Sequence, residues 1–282
     1  MSGVGSREEG DIDVSVVVPT FRRPAQVREA VASALAQEGV RLEVLVHDDS
    51  PEASAREPIL TLAAADARIT YRHRAEPTGG NPSRVRNGGW PAARGRFVHF
   101  LDDDDRVAPG AYRDVVKAFE ANPHVGVVYG RVEPFGDDPV AVARERRVFL
   151  RAAARARLYQ RLGAPMLVVA NQLFGGGTVL VNSACVIRKE HLAKLGGYDE
   201  QLAVVEDLEF YIRAMRAFGC VFLDRPLLEY RTGAPSLMNA AMAGDSKVPA
   251  AYRHIYEKYR AAHGPAELFA LKVVGKAVLR WL

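Results

Sequence analysis

Cysteine is scarce in this sequence: Cys185 and Cys220 are the only two in 282 residues, and they form no CxxC pair. That excludes a zinc knuckle and a disulfide framework, and it makes a reducing cytoplasm the simpler compartment. Long apolar runs are missing as well, since no window reaches the ~18 uninterrupted apolar residues expected of a membrane span. The opening MSGVGSREEGDID contains no apolar stretch, which argues against a secretory signal and predicts a loose leader. Although the formal net charge is +4, the basic residues are not gathered into the kind of run that marks a nucleic-acid tail. Dispersed, mild basicity suits a phosphate-bearing ligand equally well. The seven histidines show neither HExxH nor any other close metal-ligand spacing, and His99, inside an apolar strand, reads as structural. There is no GxSxG elbow, no P-loop glycine-lysine motif and no internal repeat.

What is present, 48% hydrophobic and 26% charged residues, is the composition of an ordinary globular protein, sized for one large α/β domain or two fused halves. Val14 to Val18 is a β-branched block stopped by Pro19, the pattern of a buried parallel strand. Past Pro24, apolar residues recur at helical spacing until Gly39, and Leu42 to Val46 reads as a second strand. A crossover of that length joins parallel strands in a right-handed sense. The pattern predicts a further helix over Pro58 to Ala67, strands at Ile69–Arg72 and Arg96–Leu101, a helix over Ala111 to Ala121 and a strand at Val125–Tyr129. Between them, Glu76 to Gly95 is a Gly-, Pro-, Asn- and Arg-rich loop with a short helix. Arg144 to Arg161 is a helix with a basic face, and Gly175-Gly176-Gly177 breaks the chain before Thr178. Val248 to Leu282 is helical in pattern, with Lys272, Lys276 and Arg280 on one stripe and apolar residues opposite. That segment either packs on the parent domain or a dimer partner, or lies in a membrane interface.

Four adjacent carboxylates, Asp102-Asp103-Asp104-Asp105, end the Arg96–Leu101 strand. They repel one another, so burying them makes sense near a cation that would also neutralise a diphosphate; a solvated acidic turn is the plain alternative. The carboxyl end of a parallel strand is where α/β sheets place ligands, which favours the cation. His47-Asp48-Asp49-Ser50 ends a neighbouring strand, where a carboxylate can accept from a base or a ribose, or merely cap an Asx turn. Arg84, Arg86 and Asn87 precede the acidic strand, and a guanidinium there suits diphosphate oxygens as well as it suits an ordinary surface loop. Glu206-Asp207 opens an apolar-periodic helix; such acids serve the helix dipole or, facing a crevice, deprotonate a hydroxyl.

The ordered set VSVVVPTFRR, LEVLVHDDS, RNGGWPAARGRFVHFLDDDDRVAP, LGGYDE, VEDLEF and Tyr230-Arg231 resembles the family 2 glycosyltransferases of GT-A fold, over approximately Val14 to Arg231. The resemblance implies a Rossmann-like, mostly parallel sheet flanked by helices, here with a helical C-terminal extension. It implies that Pro19, Thr20 and Arg22 lie beside the nucleotide and that Asp49, assisted by Asp48, reads a uracil-like base. It further implies that Asp102 and Asp103 approach ribose or metal waters and that Asp104 with Asp102 holds Mn2+ or Mg2+. Asp207 resembles the catalytic base, with Glu206 as its substitute one position away. Two departures stand out: Tyr230-Arg231-Thr232-Gly233-Ala234-Pro235-Ser236 lacks the histidine of many relatives, and Asp48-Asp49-Ser50-Pro51 replaces Asp-Asp-Gly-Ser.

The implied activity is inverting transfer of a sugar from a nucleotide diphosphate, UDP- or dTDP-sugar favoured, to a hydroxyl on a small-molecule, lipid-linked or polysaccharide acceptor. The domain expectation is a flexible leader over 1–12, a nucleotide-sugar-binding half over 13–125, an acceptor-binding half with the base over 126–232 and a helical segment over 233–282. Nucleic acid is not an expected partner; a homodimer and a weak peripheral membrane contact through the C-terminal helix stay open. A sugar nucleotidyltransferase and a catalytically silent nucleotide-sugar-binding protein are the rival readings. The first ranks behind because Pro19-Thr20-Phe21-Arg22-Arg23 replaces the Gly-rich loop it wants, the second because both acidic motifs are present.

Overall fold

A computed structural model describes residues 12–175, 180–233 and 247–278. Residues 1–11 of the leader, Gly176 to Thr178, Ala234 to Ser236 and Arg280 lie outside the described residues.

Strand β1 (Val14–Thr20) pairs in parallel with β2 (Leu42–Asp48), and β2 with β3 (Ile69–His73). Helices α1 (Pro24–Leu35) and α2 (Arg56–Ala65) make the crossovers; Pro24 at the start of α1 lacks only an N–H that would have been unsatisfied there. Next come α3 (Pro82–Gly89), β4 (Phe97–Phe100), the two-residue β5 (Arg106–Val107), α4 (Ala111–Ala121) and β6 (Val127–Phe135). Helices α5 (Pro139–Arg161) and α6 (Met166–Phe174) precede β7 (Cys185–Arg188), α7 (Lys189–Leu195), α8 (Glu206–Phe218) and β8 (Cys220–Arg231). The described chain closes with α9 (Lys247–His263) and α10 (Pro265–Val278).

All eight strands join one sheet in the order β3-β2-β1-β4-β7-β6-β8-β5. The β1–β4 and β6–β8 pairs are also parallel, whereas β4–β7, β6–β7 and β5–β8 are antiparallel. Both halves of the chain therefore build a single mixed sheet. Strands β1 and β4 are largely apolar on both faces because helices cover both. Val14, Val16 and Val18 of β1 pack with α1 and α4, while Val17, Val98 and Phe100 pack on the opposite side with α5, α6 and α8.

Several elements depart from the sequence reading for local reasons. Helix α5 starts at Pro139, five residues before Arg144, because the Asp138 carboxylate accepts from the N–H groups of Val140 and Ala141 at 2.8 and 3.2 Å. Strand β6 runs on to Phe135 through a register shift around Arg131, opposite Pro226, which has no N–H to give the ladder. The single C-terminal helix is two, divided at Gly264 with φ +84°, a left-handed conformation that a helix interior does not hold. The inner sides of this pair pack on the parent fold. A Cβ on Gly275 of α10 would sit 2.8 Å from the Ala170 carbonyl oxygen and from Phe174 Cβ, both on α6. Glu267 accepts from Arg216 of α8 at 2.8 Å and from the Tyr259 hydroxyl at 2.6 Å.

Candidate functional site

The carboxyl ends of β1, β2 and β4 lie side by side in the sheet, so the loops that follow them meet above one edge. Thr20, the last residue of β1, donates its hydroxyl to Asp103 at 2.7 Å, and the Phe21 N–H reaches the same oxygen at 3.4 Å. Pro19 sits beside them in β1, paired with His47. Arg22 has φ +58° and its N–H donates to the Ser50 hydroxyl, so its side chain leaves the acidic turn and pairs with Glu52 at 3.0 Å. Arg23 turns to the acidic loop: one of its nitrogens donates to Asp103 at 2.9 Å and to Asp104 at 2.7 Å. The left-handed turn at Arg22 decides which of the two adjacent arginines meets the acidic loop.

Asp48 and Asp49 are both closed to solvent. Asp48 accepts from the N–H groups of Ser50 and Ala55 and from the Tyr71 hydroxyl, all at 2.9 Å, the arrangement of a capped turn. Asp49 accepts from the Thr78 N–H, the Thr78 hydroxyl and the Gly80 N–H, each at 2.8 Å, and pairs with Arg74 at 3.3 Å. It thereby binds the end of β2 to the loop ahead of α3.

Arg86 of α3 is 4% exposed and spans the crevice. One terminal nitrogen donates to Asp102 and the other to Glu206, both at 2.7 Å, and the guanidinium carbon lies 5.2 Å from the centre of the Tyr198 ring. A single buried cation thus ties the acidic turn after β4 to the first turn of α8. Asn182 adds a bond to Asp102 at 3.0 Å and is itself held by the Tyr198 hydroxyl at 2.8 Å, while the Ser183 hydroxyl accepts from the Asp102 N–H at 3.0 Å. Asn182 and Ser183 follow a glycine run that carries no periodic signal, so only the tertiary structure reveals them.

Burial raises Asp103 to about 6, with the neighbouring Asp104 adding and Arg23 and Thr20 opposing. Asp104 is raised by burial and by Asp102, against Arg23 and Arg231. Asp105 is pushed well above the usual carboxylate range by burial and its two acidic neighbours, and it accepts from the Arg231 N–H at 3.1 Å. Arg231 also donates to the Asp104 carbonyl at 2.9 Å and to Glu29 at 2.7 Å, so β8 clasps the acidic turn from the far side. Among the described residues Asp207 forms no ion pair of the kind Glu206 does; its carboxylate accepts the Leu208 N–H at 2.8 Å. Burial first and the Glu206 charge second lift it to about 7, with Arg86 pulling down. Val205, just before it, has φ +51°, an outlier for a β-branched residue, and backbone strain of this kind gathers at working sites.

Among the described residues no cluster of three or more His, Cys, Asp or Glu side chains is arranged to hold a metal ion. Asp102 and Asp104 still offer hard oxygens, with side chains 34% and 21% exposed. One or two carboxylates completed by phosphate oxygens and water is the donor set of a Mg2+ site on a nucleotide, so these two residues fit such an ion.

The model of the family described as glycosyl transferase family 2 matches residues 15–196, and the chain belongs to that family. It is 33% identical to the succinoglycan biosynthesis protein ExoO of Rhizobium meliloti over 211 residues, 74% of this chain and 56% of that protein. Over 113 residues it is 36% identical to a GalNAc(5)-diNAcBac-PP-undecaprenol beta-1,3-glucosyltransferase of Campylobacter jejuni, 40% of this chain and 36% of the relative. The chain thus spans about half of the first of these relatives and about a third of the second. The S. aureus TarS 1-349 structure in complex with UDP-GlcNAc shares its fold, with a TM-score of 0.60 at 19% identity, covering 87% of this chain and 64% of TarS 1-349. The mannosyltransferase PcManGT of Pyrobaculum calidifontis, in complex with GDP-Man and Mn2+, aligns with a TM-score of 0.54 at 16% identity, covering 95% of this chain and 75% of that one.

Proposed function

We propose that this chain is an inverting glycosyltransferase that moves a sugar from a UDP- or dTDP-linked donor to an acceptor hydroxyl in one in-line displacement. The observation that carries the reading is the Arg86 bridge, which brings Asp102 and the Glu206-Asp207 pair to one crevice. Asp207 takes the acceptor proton: a carboxyl raised to about 7 is matched to base catalysis near neutral pH. Glu206, tied to Arg86, positions that cation and tunes its neighbour. The nucleotide lies against Pro19, Thr20 and Phe21, with Arg23 and Arg86 as the guanidinium partners of the diphosphate. Asp49 accepts from the base once one of its three donors in the Thr78–Gly80 loop yields to it. Asp104 and Asp102 would hold Mn2+ or Mg2+, which supplies Lewis-acid stabilisation to the departing diphosphate. Two unpaired cysteines agree with a cytoplasmic site of action.

The test is transfer by Asp207→Asn against the wild type, with donor affinity measured alongside. The variant should bind donor normally and lose about 10²- to 10⁴-fold in transfer rate, the usual worth of a general base. Equal rates would remove Asp207 from the mechanism, and a product whose anomeric configuration is retained would reject single displacement.

A further inference from the structure

Seven large apolar side chains are exposed among the described residues, and all but Leu60 lie on α5, on the turn that ends it or on α10. On α10, Phe269 is 68% and Val273 49% exposed, one helical turn apart. Lys272 and Lys276 stand exposed beside them, and neither forms an ion pair among the described residues. On α5, Leu150 is 57% exposed and is flanked by the exposed Arg146, Arg147 and Arg151, which likewise have no ion-pair partner among the described residues. From Arg144 to Arg161 the helix carries seven arginines and one acid, Glu145.

The inner sides of both helices are committed to the fold, α5 through Ala152, Ala156 and Tyr159, and α10 through Leu271 and Gly275. The two helices are joined through α6, which continues α5 past Gly163 and receives α10 at Ala170 and Phe174. Their outer sides therefore each present apolar side chains among unneutralised basic ones, exposed among the described residues.

We propose that the outer faces of α5 and α10 form an interfacial docking surface for a bilayer rich in anionic phospholipid. Charge complementarity selects this occupant. A second copy of the chain seated face to face on this surface would set basic side chains against basic ones, a repulsion that opposes the contact. Lipid instead accepts Phe269, Val273 and Leu150 below the headgroups while the long Lys and Arg stems reach the phosphates. No helix among the described residues is long and apolar enough to cross a membrane, so the contact is peripheral. The proposal stands apart from the transferase reading, since neither face contains a residue of the crevice.

The experiment is flotation of the full chain with phosphatidylcholine vesicles, with and without phosphatidylglycerol, alongside sedimentation velocity. The wild type should float with the phosphatidylglycerol vesicles alone and be released by salt, because exposed charges are screened within about 10 Å at 0.1 M. Arg147→Glu with Arg151→Glu, and separately Phe269→Ser with Val273→Ser, should each weaken partition at least about tenfold with thermal melting unchanged. Absence of binding to the anionic vesicles at low salt overturns the proposal. So does a dimer that the Phe269 and Val273 variant dissolves while vesicle binding persists, which would give the surface to a second copy.

Discussion

Replacing Arg86 by methionine keeps the apolar stem and removes the one cation that Asp102 and Glu206 share. Both carboxylates lie 2.7 Å from its terminal nitrogens, and Arg86 is 4% exposed, so no water shell waits to replace it. Breaking a buried pair by removing one partner costs about 3–5 kcal/mol, a large share of the roughly 5–15 kcal/mol that holds a domain together. The same change removes the group that holds Asp207 down, and burial and Glu206 then push its carboxyl above about 7. A folded-state value raised above the unfolded one stabilises the protein at low pH, and the contribution is lost as pH rises through the folded value. In the wild type that loss runs from about pH 4 to about pH 7; in Arg86→Met it extends further upward. In the proposed reaction Asp207 works deprotonated, so the acid limb of kcat/KM should move the same way. A move of one pH unit would cut the rate at pH 7 about fivefold, since the base is about half ionised there to begin with. Urea unfolding at several pH values and a pH–rate profile read the two effects independently, with Arg86→Lys as the charge-retaining control. An Arg86→Met protein with wild-type stability and an unmoved acid limb would refute the reasoning.

Three further outcomes follow from the same geometry. Chelation should abolish transfer and readdition of Mn2+ or Mg2+ restore it, while Asp104→Ala should lose the metal-dependent part of the thermal shift that UDP produces; a metal-blind wild type would exclude the acidic turn as a cation site. Asp49→Ala leaves the N–H groups of Thr78 and Gly80 and the Arg74 guanidinium without their carboxylate, and should cost about 2–4 kcal/mol by denaturant titration; a loss below 0.5 kcal/mol, taken as roughly the scatter of surface substitutions, would show the loop to be held by other contacts. Gly275→Val puts carbon where the Ala170 carbonyl and Phe174 already lie, so limited proteolysis should release α10 and α9 faster than from the wild type; an unchanged digestion rate would mean that α6 gives way instead.

Elements with one strong period were legible in the sequence. The helix over Ala111 to Ala121 and strands β1 to β4 fall where apolar periodicity and Pro or Gly punctuation place them. Strand β8 is not legible in this way, because it mixes Asp224, Arg225 and Pro226 into its ladder. At the candidate site, the acidic turn and Glu206-Asp207 are visible as residue types in sequence order, Arg23 and Tyr198 lie in motifs that give them no role, and nothing local distinguishes Asn182 and Ser183.

By itself, then, the sequence determined that a parallel α/β core would end in acidic loops, because β-branched runs, helical spacing and breakers act within a few residues. Only the tertiary structure decided that Arg86 would join Asp102 to Glu206, which lies 120 residues beyond that arginine, and that Asp49 would close on the Thr78–Gly80 loop. Burial and charge–charge energies depend on distances that the fold sets. A carboxylate's partner, and with it its protonation, is therefore a property of the packed molecule.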